Sequence, residues 1–229
     1  MKLIKTLAAT LVLGLAASQA QAVPFIIDDF SDFQKVTVNT NTTPDTVANT
    51  VAGSMLGGFR TITVNRVSGL GETHASVNEF GGQALEVSNT AGINSDVSVL
   101  WNANGAGLGG VDLTVAGVND YLSMNVLTID LSVNVSFTLV DSLANTFTSG
   151  PTFFPGPGVF QVDLNQFTVG GGVDVTDIES ITMFLSSTDT AWDGTVDFVE
   201  TNVKFVPVPA PLALMAIGLL FAVRASKRS

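Results

Sequence analysis

The residues able to do chemistry are few, and most argue against catalysis. His74, in "GLGETHASVNEF", is the sole histidine. A hydrolase would need it beside a nucleophile and an orienting carboxylate, and no G-x-S-x-G accompanies it. A histidine-based metal site lacks further histidines. His74 therefore reads as a solvated loop residue. With no cysteine, the chain has no disulfide, thiolate metal site or cysteine nucleophile. Its 20 carboxylates include pairs that glycoside hydrolysis could use, but that abundance makes the signal unspecific, and solvated sheet faces and turns account for it. The glycine-rich "NGAGLGG" has the glycine count of a phosphate loop without a helix after it, which excludes nucleotide binding.

Two residue pairs carry sharper possibilities. Trp101 in "VLWNANGAGLGG" and Trp192 in "TDTAWDGT" sit near strand ends beside polar loops. An indole face there can stack on a sugar ring or a partner; packing against a sheet edge is the competing account. Asp29 in "IIDDFSD" and Asp197 in "TVDFVE" belong to the expected first and last strands of the body. Where such strands lie side by side, the two carboxylates and neighbouring carbonyls offer the oxygen ligands that calcium prefers. The alternative is that both face water.

The elements that position these residues are strands. In "LTIDLSVNVSFTL" every odd position from Leu127 to Leu139 is apolar and every even one is Thr, Asp, Ser or Asn. Period two places one set on a core and the other toward water. Thirteen residues exceed an ordinary strand, so a break near Asp130 is expected. Upstream, "YLSMNV" is apolar at even positions, and the parity flip at Val126–Leu127 calls for a bulge or a change of sheet. Further strands are read in "QKVTVNT", "FRTITVN", "GQALEVSN", "DVSVLWN", "GVFQVDL", "ESITMFLSS" and "TVDFVETNVKF", with a turn at Asp193-Gly194. No window shows helical periodicity. The expected fold is all-β: an antiparallel two-sheet sandwich, jelly-roll-like, over residues 23–204. An outer-membrane barrel would need aromatic girdles that one tyrosine and two tryptophans do not supply.

Charge and the two ends indicate where the protein works. All 20 acidic residues lie between Asp28 and Glu200, and residues 23–204 hold four basic residues, a net of −16. Such a body repels phosphate backbones, which disfavours nucleic acid. Residues 1–22 carry two lysines, an apolar run and the A-x-A pattern of Ala20 and Ala22, predicting a signal peptide cut after Ala22. At the other end, Phe205 to Val223 is uncharged and Leu212 to Val223 uninterrupted apolar, with Arg224, Lys227 and Arg228 following. This suits a short transmembrane helix with its basic tip in the cytoplasm and the body on the outer face.

The ending of proline motif, apolar segment and basic cluster, paired with a signal peptide, resembles the PEP-CTERM sorting signal of exported proteins from Gram-negative bacteria that make exopolysaccharide. The family's V-P-E-P maps onto Val206, Pro207, Val208 and Pro209, with Val208 in place of the glutamate. The resemblance covers residues 205–229. It implies an exosortase that cuts near the motif, transient residence in the inner membrane, and release to the periplasm, cell surface or beyond. Physically, the prolines keep the stretch extended and accessible to a protease at the membrane face. The expectation is a non-enzymatic surface or matrix protein associated with exopolysaccharide or biofilm. The alternative is a carbohydrate-binding module that uses its tryptophan-bearing loops.

Overall fold

The structure, a computed structural model, describes residues 24–40 and 45–203. Fourteen strands form two antiparallel sheets. The first sheet contains Phe25–Asp28 (β1), Gln34–Asn39 (β2), Glu72–Val77 (β5), Leu85–Asn89 (β6), Tyr121–Ile129 (β8), Gly158–Asp163 (β12) and Gly194–Asn202 (β14). The second contains Thr46–Ala52 (β3), Phe59–Ser68 (β4), Asn94–Trp101 (β7), Val133–Asp141 (β9), Thr146–Thr148 (β10), Thr152–Phe154 (β11) and Ile178–Ser186 (β13). The first runs β12-β8-β14-β6-β5-β2, with β1 beside the distal half of β14; the second runs β10-β9-β13-β7-β4-β3, with β11 also on β9. Hairpins join β3 to β4, β5 to β6 and β9 to β10, whereas most other connections cross between sheets.

Alternation builds the core. In β9, Val133, Val135, Phe137 and Leu139 are buried and the residues between them half-exposed, so period two holds through this strand. Phe137, Phe154 and Phe160 interlock across the gap between the sheets, with ring centroids 5.6–5.8 Å apart. The expected break lies at 130–132, between β8 and β9. The expected parity flip is a bulge: Thr195 faces Thr128, the next β14 residue Val196 faces Val126, and Leu127 is left over. Leu127 and Leu131 are therefore exposed rather than part of the core stripe.

Some elements depart from the sequence reading. His74 lies within β5, not in a loop; the strand is written in Thr, His, Ala and Ser, which weakens its pattern. β3 reads as a polar stretch because it is an edge strand exposed along most of its length. One short helix, Asn165–Gly171 (α1), buries only Phe167, edge-on to Phe147 at 5.8 Å, and ends at Gly172 with φ 68°. One apolar contact in seven residues leaves no period to detect. No helix among the described residues is long and apolar enough to cross a membrane.

The two ends of the described body lie together. Phe25 pairs with Thr201 and Asp28 with Val199, so residues 24 and 203 leave from neighbouring strand ends. The other end of β14, at Gly194, is about 27 Å away for nine residues of strand.

Candidate functional site

The two tryptophans read as a binding platform are buried. Trp101 is 0% exposed and its Nε1–H donates to Asp28 Oδ2 at 2.8 Å; Trp192 is 1% exposed and donates to the Ser95 carbonyl at 2.9 Å. Neither indole has a free face, so the stacking role read from sequence is closed to both. They pack, as their bulk favours, with the N–H satisfied. Asp29 and Asp197 sit on the paired first and last strand regions as expected, but with separate partners: Asp29 accepts from Ser31 N–H at 3.1 Å, and Asp197 from Asn125 Nδ2 at 3.4 Å. Among the described residues no group of three or more His, Cys, Asp or Glu side chains is placed to hold a metal ion. His74 Nδ1 lies 3.7 Å from Glu72. Ala20, Ala22, Val206–Pro209, Arg224, Lys227 and Arg228 lie outside the described residues.

The neighbour of Asp29 holds the polar centre. Asp28, buried where β1 ends, accepts from Arg60 Nη1 at 2.9 and 3.0 Å, Trp101 Nε1, and the Phe30 N–H at 2.8 Å. Arg60, with no exposed surface, also donates to Gln34 Oε1 and the Asp32 carbonyl, and lies over the Phe30 ring at 5.5 Å. Burial pushes the Asp28 carboxyl above its usual range, opposed by Arg60 and the hydrogen bonds from Trp101 and Phe30. This network ties β1 and β2 of one sheet to β4 and β7 of the other. It has no opening to a substrate, so its work is structural.

The open polar site lies on the outer face of the first sheet. A groove of about 250 Å³ crosses β6, β14 and β8, lined by Glu86, Ser88, Thr128, Asp130, Asp193 and Thr195, with Val87, Ile129 and Gly194 between them. Register explains the grouping. Thr195 faces both Glu86 and Thr128, and Gly194 faces both Val87 and Ile129. Thus Glu86, Thr195 and Thr128 form one row, and Ser88, Asp193 and Asp130 continue the same face one step on. The Thr128 and Thr195 hydroxyls bond at 2.9 Å. Asp130 Oδ1 accepts the Asp193 N–H at 2.7 Å, and Asp193 Oδ1 accepts the Asn89 N–H at 2.6 Å, which fixes both carboxylates with one oxygen each left to the groove. No cation lines it. Each described lysine and arginine is ion-paired elsewhere: Lys35 with Glu79, Arg60 with Asp28 and Arg66 with Asp45. The turn expected at Asp193-Gly194 falls earlier, at Thr190-Ala191, where Ala191 has φ 63°, and Gly194 instead opens β14. The grid is not legible in the sequence because cross-strand register is not written locally.

No protein-family model matches the chain, and no curated protein matches it. Among solved structures it is similar to PfGH50B (TM-score 0.41, 15% identity, 63% of this chain and 22% of that one). It is also similar to the family 11 carbohydrate-binding module of the cellulosomal cellulase Lic26A-Cel5E of Clostridium thermocellum (TM-score 0.35, 10% identity, 80% of this chain and 96% of that one). A third is an exo-beta-agarase (TM-score 0.42, 9% identity, 81% of this chain and 26% of that one). The chain thus spans under a third of the length of PfGH50B and of the agarase. At these scores and identities the likenesses carry no argument about ligand or activity.

Proposed function

We propose that this chain is an exported, non-catalytic surface or matrix protein. In this reading its jelly-roll-like body is held briefly at the inner membrane by its tail, freed by an exosortase, and associated with exopolysaccharide. The observation that carries it is the pairing of a signal-peptide pattern with the Val206–Pro209, apolar and basic ending. Fractionation of an epitope-tagged chain tests export: a body found only in the cytosol overturns it. Changing Pro207 and Pro209 together to alanine is expected to leave a larger, membrane-held precursor; unchanged processing overturns the sorting part.

A second reading, favoured by the groove, is a polysaccharide-binding module. Hydroxyls that both donate and accept, beside carboxylate oxygens that only accept, suit the mixed donors and acceptors of a sugar. Affinity electrophoresis of the body in gels cast with neutral polysaccharides tests it. Retardation that Thr128→Ala reduces supports the reading; no retardation in any gel overturns it.

A further inference from the structure

The groove lies at one end of a cross-strand row of residues, and this inference rests on the polysaccharide-binding reading above. Cross-strand register continues the row Thr128–Thr195–Glu86: Glu86 faces Ser76 on β5, which is fully buried, and Ser76 faces Lys35 on β2. Alternation puts all five on the side away from the core residues Val36, Val77, Leu85, Val87 and Val196, but Ser76 is covered there, so a ligand crossing β5 would pass over it without touching it. Five strands at their usual spacing make this row about 19 Å long, running across the strands.

At its β2 end stand two exposed aromatic rings, Phe33 at 59% and Phe80 at 85%. Phe33 is two residues before Lys35, in the loop 29–33. Phe80 follows Glu79, whose Oε1 takes the Lys35 ammonium at 2.6 Å, with Lys35 then Ser76 holding the Glu79 carboxyl below its usual range. Both loops are pinned. Asp32 Oδ2 accepts from Ser54 N–H at 2.6 Å and Oγ at 2.8 Å, while Arg60 Nη2 donates to the Asp32 carbonyl. Asn78 sits at φ 52°, a conformation asparagine tolerates; its side chain donates to the Ser31 carbonyl and accepts from Gln83 N–H at 3.2 Å. Two large apolar side chains are thus held in water by built loops. The fold gains nothing from this, whereas the C–H face of a pyranose ring would cover them.

We propose that this row forms a track that binds one linear, neutral polysaccharide laid across the strands. Its hydroxyls meet Thr128, Thr195 and Glu86 in the groove, and a sugar ring further along stacks on Phe80 and Phe33. A compact ligand cannot occupy both ends of a 19 Å row. A polyuronate is disfavoured because Glu86, Asp130 and Asp193 repel it and Lys35 is already paired.

The test measures affinity of the exported body for oligosaccharides fractionated by length from cellulose, laminarin, agarose, dextran and alginate. The expected result is that one neutral series binds more tightly as its members lengthen. Phe80→Ala and Phe33→Ala should flatten that rise, weakening the long members by roughly fivefold to tenfold and the shortest not at all. Thr128→Ala should weaken every member. Length-dependent binding unaffected by either phenylalanine change overturns the track while leaving the groove reading intact. Equal affinity for short and long members, or preference for the alginate series, also overturns it. Binding to no series overturns both. The two phenylalanines are exposed, so unchanged melting of their variants separates lost binding from lost folding.

Discussion

At the centre of the sandwich Asp28 commits both carboxylate oxygens to Arg60, Trp101 and the Phe30 N–H, and no water-facing surface remains. On the outer face of the same sheet, Asp130 and Asp193 each commit one oxygen to a backbone N–H and leave the other in the groove. The residue type is the same and the use is opposite. A buried carboxylate must be fully partnered or it undermines the fold, whereas a surface carboxylate can be positioned by one bond and retain capacity for a ligand. The contrast sorts polar clusters by leftover hydrogen-bonding capacity, and it separates the part of this molecule that holds from the part that can bind.

The largest effect should come from breaking the centre. Asp28→Ala leaves the Arg60 guanidinium buried without its counter-charge, and a loss of about 3–5 kcal/mol is expected in denaturant unfolding. Removing both charges, in Asp28→Leu with Arg60→Met, should recover most of that loss, because the apolar pair no longer carries an uncompensated ion. If the double variant is no more stable than Asp28→Ala alone, the pair does not act as a unit.

A smaller effect, visible in pH, contrasts two buried carboxylates, Asp28 and Asp141, whose surroundings act in opposite directions. Asp28 has a raised carboxyl, so its contribution is fully present below the ordinary carboxylate range and falls as pH rises through its folded value. Asp141 has the opposite sign. The Asp174 N–H, then Asn145 and Leu143, hold it low, so its contribution is present above the ordinary range and is lost as pH falls through its folded value. Asp32 and Asp174 are lowered in the same sense by backbone and hydroxyl donors. Stability should therefore decline below about pH 4, where such carboxylates protonate. Asp141→Asn should melt lower than the parent at neutral pH and converge with it in acid. A gap independent of pH would show that Asp141 acts through shape rather than charge.

Legibility in the sequence followed the same divide. Where a strand has one face in the core, period two exposed it: β9, the break after β8 and even the bulge at Leu127 were visible in the order of apolar residues. The pairing of first and last strands was anticipated too, although the partner that matters is Asp28 and not Asp29. A one-residue difference in facing decides between core and water, and the doublet "DD" does not reveal which aspartate turns inward. The tryptophans were misplaced for a related reason. Polar loops flank both, yet each indole N–H finds a buried acceptor on a distant strand, Asp28 and Ser95. The groove and the phenylalanine pair were invisible because they join residues up to about a hundred positions apart through register alone.

The smallest expected effect sharpens the comparison most. Glu86 stands in the groove row opposite Thr195, and no hydrogen bond among the described residues engages its carboxylate. Glu86→Gln keeps the size and one acceptor while removing the charge. If the groove side chains are held for a ligand and not for the fold, unfolding should change by less than about 0.5 kcal/mol, as for a surface position without structural partners. Binding of a neutral glycan should fall only modestly, because the amide still accepts a hydrogen bond, while rejection of a polyuronate should relax as one repelling charge is removed. A variant destabilised on the scale of Asp28→Ala would place Glu86 with the centre, and the distinction between committed and spare carboxylates would fail at the residue where it is cleanest.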